Sequence, residues 1–593
     1  MDLIAVRLNT SQENLNSSTI HILQSNESVP NSKESVIKTD GKQDNLSVQE
    51  NLVAICSGQP EIDSKPCSAA EIAELYVQGG QSALSNIGGH FSVVVLDLKT
   101  KNIFAITDKM ATNNLFYCQV GETLIVSSKL SELKALCPNE LTLSQQSIYN
   151  FIYFHCIPSP KTIYQEVSKL EPAQILKFDG RALKVEKVWL PNFVDNKAKV
   201  DVDKSMQRLQ QSLSDATVRY ADNPKVGAFL SGGLDSSSVV AFLAKNSSLP
   251  VNTFTIGFSE PGYDEKEFAQ AVADKFGTNH TSYDVTPADI FEYLPQIAAY
   301  YDEPFGNSSA LPTFFCAKVA KEHGIDIMLA GDGGDELFAG NARYANQKVF
   351  EKYLEAPDFV RTLMDKVVPF TAKVAPLSLL KKADSYIFQA NMGLPDRLQY
   401  YNFLHQNAPE SVFTESFLAP IDQQQPIDQL RACYRDLTDT HPVDNMLYLD
   451  WKFTLADNDL MKVNYMTEFA GISVVYPMLS EKMIALSTDL PADIKLPGQE
   501  LRAFYKQALA DVLPDSTLNK SKQGFGLPFG KWLVKDESLK ELANTTLEQL
   551  KRRNIIRPEF IDKAMEMHQN VHAHYYGELV WIMIMLELWL QTH

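Results

Sequence analysis

The sequence predicts an α/β chain in two regions, a sheet-rich first third and a longer remainder where strands alternate with helices before helices take over. Three observations predict it. Short β-type runs separated by turn residues fill the region from 52 to about 187: FSVVVLDL at 91–98, NIFAIT at 102–107, NLFYC at 114–118, TLIVSS at 123–128 and AQILKF at 173–178. After a loop at 190–201 the rhythm changes. Helical periodicity at 205–220 leads to the apolar strand VGAFL at 226–230, a helix at 236–245, the strand VNTFTIGF at 251–258 and a helix at 265–276. A β segment at 281–285, a helix at 310–323 and the strand IDIMLA at 325–330 follow. Strands and helices alternating at that spacing form a parallel sheet with crossover helices. Beyond 350 the pattern is mostly helical, and there is no internal repeat.

Composition bounds the function. At about 150 residues per domain, 593 residues make two to four domains. The 27 glycines and 29 prolines are under a tenth of the chain, which excludes a collagenous or largely disordered protein. There are 54 Lys and Arg against 73 Asp and Glu, a net charge of −19 that repels phosphate backbones and anionic lipid, so neither nucleic acid nor membrane is an expected partner. Seven scattered cysteines with no CxxC pair point to reduced thiols in a cytoplasmic protein. Residues 10–50 are rich in Ser, Asn, Gln and Lys and are expected to form a long polar loop or poorly ordered insertion. The N-terminus lacks the features of a signal peptide. The most apolar run, LVWIMIMLELWL at 579–590, is interrupted by Glu587 and falls short of the about 20 residues of a membrane span, so it is expected as a buried C-terminal helix.

The sharpest motif is SGGLDSS at 231–237, between an apolar strand and a helix. Glycines without Cβ let backbone N–H groups converge on an anion, and the helix N-terminus adds partial positive charge. Ser231, Ser236 and Ser237 supply hydroxyls, while Asp235 puts a carboxylate beside the phosphates, which makes sense with a divalent cation between them. No lysine follows the glycines, so this is not the GxxxxGK[ST] loop. A second loop, LAGDGGDELFAG at 329–340, groups Asp332, Asp335 and Glu336 around two glycines at the end of another strand. Both loops fall at the carboxyl edge of one sheet, where such folds bind ligands.

SGGLDSS resembles the pyrophosphatase loop of ligases that cleave ATP between the α and β phosphates. The order SGGLDSS, TIGF, GTNH, DEPFGNSSALPT, GDGGDELFAG, ADNDLMKV and SKQGFGLPFGKW is similar to the synthetase domain of class II asparagine synthetases, over roughly 200–593. The runs at 88–118 and 124–136 resemble that family's glutaminase domain. The resemblance implies an Ntn-type αββα domain at 1–195, then an ATP pyrophosphatase-like domain at 200–593 with helices at its C-terminal end. It also implies ATP and Mg²⁺ as cofactors, and an adenylated carboxylate, peptide or amino acid, as substrate.

The chain departs from the family in places that matter. The family's glutaminase uses a cysteine at position one with a free α-amine. Here Asp2 follows Met1, and a carboxylate cannot form the thioester. The asparagine–glycine–glutamate clamp is not recognisable; LVAICSG at 52–58 stands in its place. A degenerate glutaminase is therefore expected, kept for structure or docking. Relatives without that cysteine include β-lactam synthetases and lasso-peptide cyclases, in which an amine of the substrate attacks the acyl-adenylate. β-Lactam formers carry a tyrosine where Asp332 stands, which ranks that chemistry lower. Val475 and Ser480 stand where the synthetases carry arginine and aspartate, which disfavours an aspartate-sized pocket. An ATP-dependent ligase closing an amide in a peptide or other specialised substrate is expected, with a precursor peptide or leader-processing partner as candidate partners. An ammonia-dependent asparagine synthetase is the nearest rival and a non-catalytic scaffold the more distant one.

The resemblance assigns the roles. Asp235 and Asp335 are the metal ligands. The loop of Ser231, Gly232, Gly233, Leu234, Asp235 and Ser236 holds pyrophosphate, and Leu230, Ile256, Ala330 and Gly331 contact adenosine. Lys522 neutralises the leaving group, with Lys520 and Lys531 as competitors. Asp332 and Asp459 orient the acyl-adenylate or accept the amine's proton, with Glu336 and Asp457 as competitors. His90, His155 and His280 are expected to pack, and no site has zinc-ligand spacing.

Overall fold

The computed structural model describes residues 4–9, 20–24, 35–39, 45–49, 51–137, 139–374, 378–520, 526–570 and 572–593. The N-terminal domain holds a pair of sheets lying face to face. One runs, in spatial order, Ser168–Lys169, Phe116–Val120, Thr123–Ser127, Ile4–Asn9, Ser35–Thr39 and Ile20–Gln24. The other runs Leu183–Lys187, Gln174–Phe178, Asn102–Thr107, Gly88–Asp97, Leu52–Ile62 and Leu46–Gln49.

Side chains that alternate along a strand dictate the layers. Val53, Ile55, Val94 and Leu96 enter the space between the sheets with Leu124 and Val126. Their neighbours Ala54, Cys56, Val93 and Val95 point to the outer face, against Ile72 and Ala73 of the helix Ala69–Leu84. On the far side Phe116, Cys118 and Ile125 pack on the helices Leu130–Leu136 and Gln145–Phe154. The result is the helix–sheet–sheet–helix stack the sequence predicts.

The C-terminal domain is built on a five-stranded sheet ordered Asn279–Val285, Asn252–Phe258, Val226–Phe229, Ile327–Leu329 and Ser473–Val475, with every neighbouring pair parallel. The crossover helices Leu234–Asn246, Lys266–Phe276 and Ala310–Glu322 follow their strands as expected.

Three expectations are corrected. The strands Ile20–Gln24, Ser35–Thr39 and Leu46–Gln49 lie in the stretch expected as polar loop, because apolar alternation in IHILQ and SVIKT is diluted by the surrounding Ser, Asn and Gln. The helix after SGGLDSS begins at Leu234 rather than Ser236, so Asp235 sits in its first turn. Ser473–Val475 completes the parallel sheet from a region expected to be helical; three residues are too few to show periodicity. The C-terminal helix Ala573–Thr592 is buried as expected, and its fully buried Glu587 accepts from Arg553 Nε at 3.0 Å. No described helix is long and apolar enough to cross a membrane.

Candidate active site

The strand Val226–Phe229 ends at the sheet edge, and Leu230 still donates its amide to Phe254 O at 2.9 Å. The chain then turns through Gly232, whose φ of +67° favours glycine and whose absent Cβ lets it lie on the Phe268–Ala269 backbone. Gly233 caps the helix Leu234–Asn246 without a side-chain bond, so the positive helix end opens on the loop. Ser231 N donates to Ser236 Oγ at 3.2 Å, and the Ser231 and Ser236 hydroxyls lie 3.0 Å apart.

The second loop locks onto the first. After Ile327–Leu329 the chain passes Gly331, which backs onto the Asp235–Ser236 backbone, and enters the short helix Gly334–Phe338. A Cβ at Gly334 would strike the Asp235 carboxylate, and one at Gly340 would strike that of Asp335 and Arg502 Nε. Both carboxylates converge on the Arg502 guanidinium, with Asp235 at 3.1 Å and Asp335 also in direct contact. Gly334→Ala and Gly340→Ala are therefore expected to displace the carboxylates from Arg502, which a crystal structure of either variant checks.

Two cavities meet at this pair. The first, about 250 Å³, is lined by Phe229, Leu230, Ile256, Gly331, Asp332 and, from the other side, Asp459 and Lys462. The second, about 560 Å³, is lined by Gly233, Leu234 and the basic residues Arg502, Lys506 and Lys520. Ser231, Asp235, Ser236 and Asp335 line both. Glu265 also lines the second cavity, so an apolar-to-acidic cavity opens through two carboxylates into one where three cations face three acids.

Asp459 and Lys462 come from a π-helical segment, Trp451–Asp459, that runs into the helix Leu460–Phe469. They pair at 2.9 Å. Burial opposes charge on Lys462, but Asp459 and Asp332 outweigh it and hold its ammonium above the usual range. Burial pushes the Asp332 carboxyl up to about 6; Lys462 opposes that shift, and Asp459 and Asp235 add to it. The folded value lies above the unfolded one, so ionisation of Asp332 costs stability as pH rises from 4 through 6. The Asp332 carboxyl is expected to titrate near 6 by carbon-13 NMR, its signal assigned by loss in Asp332→Asn. Asp332→Asn is expected to gain stability relative to wild type at pH 8 but not at pH 4.

Most sequence-predicted residues lie around these cavities. Of the expected pair Ala330 and Gly331, Gly331 lines the first cavity; Ala330 lines neither, and its amide donates to Val475 O at 2.9 Å across the sheet. Gly232 shapes the turn without lining a cavity. Asp457 is no competitor for Asp459, since it is buried and accepts from Ser159 N at 3.0 Å and Ser159 Oγ at 3.1 Å. Glu336 lines the first cavity beside Asp332, so that alternative stands. Lys531 lies at the surface near Glu260 and Pro261 O. Lys520 lies under the phosphate loop, 2.9 Å from Glu265 and 3.2 Å from Ser231 O. Lys522 lies outside the described residues.

Sequence reasoning missed Lys462, Arg502 and Lys506. Lys462 was legible in principle, three residues after Asp459 on a helix, where side chains meet. Arg502 caps the short helix Ala503–Ala508 with a left-handed backbone and Lys506 lies within it, and only the tertiary fold brings them to the loop.

A family model, asparagine synthase, matches residues 208–591, which contain both loops and the carboxylate pair. The chain belongs to the asparagine synthase family. A model for the glutamine amidotransferase domain matches residues 64–189 of this family member. Asparagine synthetase [glutamine-hydrolyzing] 1 of Bacillus subtilis is 23% identical over 528 residues, covering 86% of this chain and 78% of its own. Putative asparagine synthetase [glutamine-hydrolyzing] 2 of Methanocaldococcus jannaschii is 30% identical over 400 residues, 66% of this chain and 75% of its own. Microcin J25-processing protein McjC of Escherichia coli is 24% identical over 301 residues, 49% of this chain and 55% of its own.

Proposed function

We propose that this asparagine synthase-family chain is an ATP-dependent ligase that adenylates a carboxylate, releases pyrophosphate and couples the acyl group to an amine of its own substrate, without hydrolysing glutamine. The observation that carries the reading is the junction of the two cavities at Asp235 and Asp335. Adenosine lies against Leu230, Ile256 and Gly331. The β and γ phosphates enter the second cavity, held by the loop from Ser231 to Ser236 and by Arg502, Lys506 and Lys520. The α-phosphorus then sits at the junction, facing Asp332, Asp459 and Lys462.

The pair fits Mg²⁺. Two carboxylates already converge on one cationic group, and Mg²⁺ is held by one or two protein carboxylates, with phosphate and water completing its shell. Bound there by Asp235 and Asp335, the ion would neutralise the charge of departing pyrophosphate. The protein's own groups orient the reactants. Lys462 draws the α-phosphoryl oxygens toward the acids, and Asp332 or Asp459 accepts the proton of the attacking amine.

Two features support a substrate other than free aspartate with glutamine. Cys56 is buried in mid-strand, paired with Val93 and packed under a helix, so LVAICSG supplies no exposed thiol. Lys462 is the only cation among the described lining residues of the first cavity, and Val475 and Ser480 do not line it. The likeness to a microcin-processing protein supports ring closure within a peptide, as in a lasso-peptide cyclase. The rival, an ammonia-dependent asparagine synthetase, draws on the likeness to synthetases over most of the chain.

The test supplies Mg-ATP and aspartate with ammonium or with glutamine, then follows AMP, pyrophosphate and asparagine. Silence with both amine sources, from protein that binds Mg-ATP, is the expected result. Asparagine from ammonium alone selects the rival, and asparagine from glutamine overturns the loss of glutaminase activity.

A further inference from the structure

The loop at 157–162 of the N-terminal domain ends up inside the ligase domain. Its Ser159 is 1% exposed and makes five hydrogen bonds to that domain. The amide and hydroxyl donate to the two oxygens of Asp457, at 3.0 and 3.1 Å. Its carbonyl accepts from Lys452 Nζ at 2.7 Å and from Gln429 Nε2 at 2.6 Å, and Lys452 Nζ also reaches the Ser159 hydroxyl at 3.2 Å. Lys452 is itself buried and paired with Glu171, another residue of the N-terminal domain.

Lys452 and Asp457 are both in the π-helical segment Trp451–Asp459. A π turn is wider and rarer than an α turn and concentrates at functional sites, so a nine-residue run needs holding from outside. Ser159 holds it near both ends. Asp459, two residues past Asp457, and Lys462, one turn further, are the groups this segment delivers to the first cavity. Neither touches Ser159.

We propose that Ser159 is a positioning residue for the ligase site: the glutaminase-like domain serves as a template that fixes the π-helical segment and, through it, Asp459 and Lys462. This rests on the reading of the first cavity as the nucleotide site. It gives the N-terminal domain a role that needs no glutamine chemistry.

The test measures binding of the α,β-methylene analogue of ATP, with Mg²⁺, by calorimetry well below the unfolding temperature. Ser159→Ala is expected to weaken binding about five- to tenfold, less than a full hydrogen bond to a charged group, because the backbone amide keeps its bond to Asp457. Asp457→Asn is expected to do the same, and the double variant to lose less than the product of the two single losses, because both variants share the hydroxyl–carboxylate bond. Ile72→Val, in the outer helix layer, is expected to lower the unfolding temperature while leaving binding unchanged. Wild-type affinity in Ser159→Ala, additive losses in the double variant, or an equal loss in Ile72→Val would each overturn the proposal. Failure of the wild type to bind the analogue would instead remove the nucleotide site, and the positioning role with it.

Discussion

Asp235→Asn is expected to reduce AMP formation by about 10³-fold or more while leaving the protein folded, and Asp335→Asn to do the same. The side chains are isosteric, so the cradle made by Gly334 and Gly340 is not disturbed. What changes is charge. Two carboxylates converge on Arg502 at the meeting of the cavities, and in the proposed reaction pyrophosphate leaves there with its charge neutralised. With one carboxylate gone, a divalent cation loses half of its protein ligands. Quantifying AMP by chromatography, beside near-UV circular dichroism, separates lost chemistry from lost fold. Wild-type protein stripped of Mg²⁺ with EDTA should match either variant. Turnover within a few-fold of wild type in Asp235→Asn would contradict the assignment of the pair.

The second large effect concerns the junction of the two domains. Lys169 and Glu303 form a buried pair at 2.9 Å. Lys169 Nζ also donates to Ile157 O at 2.6 Å, and Glu303 also accepts from Ile163 N at 2.8 Å. Lys169→Met leaves a buried carboxylate beside Asp302 with no cation, a change that costs about 3–5 kcal/mol in comparable pairs. Burial already raises the Glu303 carboxyl above its usual range, although Lys169 pulls the other way. Without the lysine it rises further. A folded value above the unfolded one means that the penalty grows as pH rises through the folded value, so the loss should be largest at alkaline pH and shrink toward pH 5. Denaturant unfolding at several pH values checks this. Lys169→Met with Glu303→Leu should recover much of the loss, because no unpaired charge remains.

How much was legible follows from what each signal requires. The two loops could be read because strand, glycines, acid and helix are contiguous, and local sequence alone sets their geometry. The carboxyl edge of the parallel sheet then placed them together, as Gly331 packing on Asp235 and Ser236 shows. Arg502 and Lys506 could not be read, since they reach the loop from about 270 positions downstream through folding alone. Ala330 and Gly331, expected to act together, part at the strand end: whether a residue there faces the sheet partner or the cavity depends on where pairing stops, and here it stops after Ala330. DEPFGNSSALPT marked the family, yet its acids serve the domain junction. Asp302 accepts from Leu130 N at 2.9 Å, and Glu303 holds Lys169. The strands at 20–24 and 35–39 were hidden by polar composition, because pairing partners rather than apolar content establish a sheet edge.

The most direct test is a crystal structure of the protein with Mg²⁺ and the α,β-methylene analogue of ATP. Adenylation requires the adenine beside Leu230 and Ile256, the β and γ phosphates in the second cavity with Arg502, Lys506 and Lys520, Mg²⁺ on Asp235 and Asp335, and the α-phosphorus facing Asp332 and Lys462. A γ-phosphate facing Asp332 and Lys462, with adenine in the second cavity, would instead describe phosphoryl transfer and contradict an AMP-forming ligase.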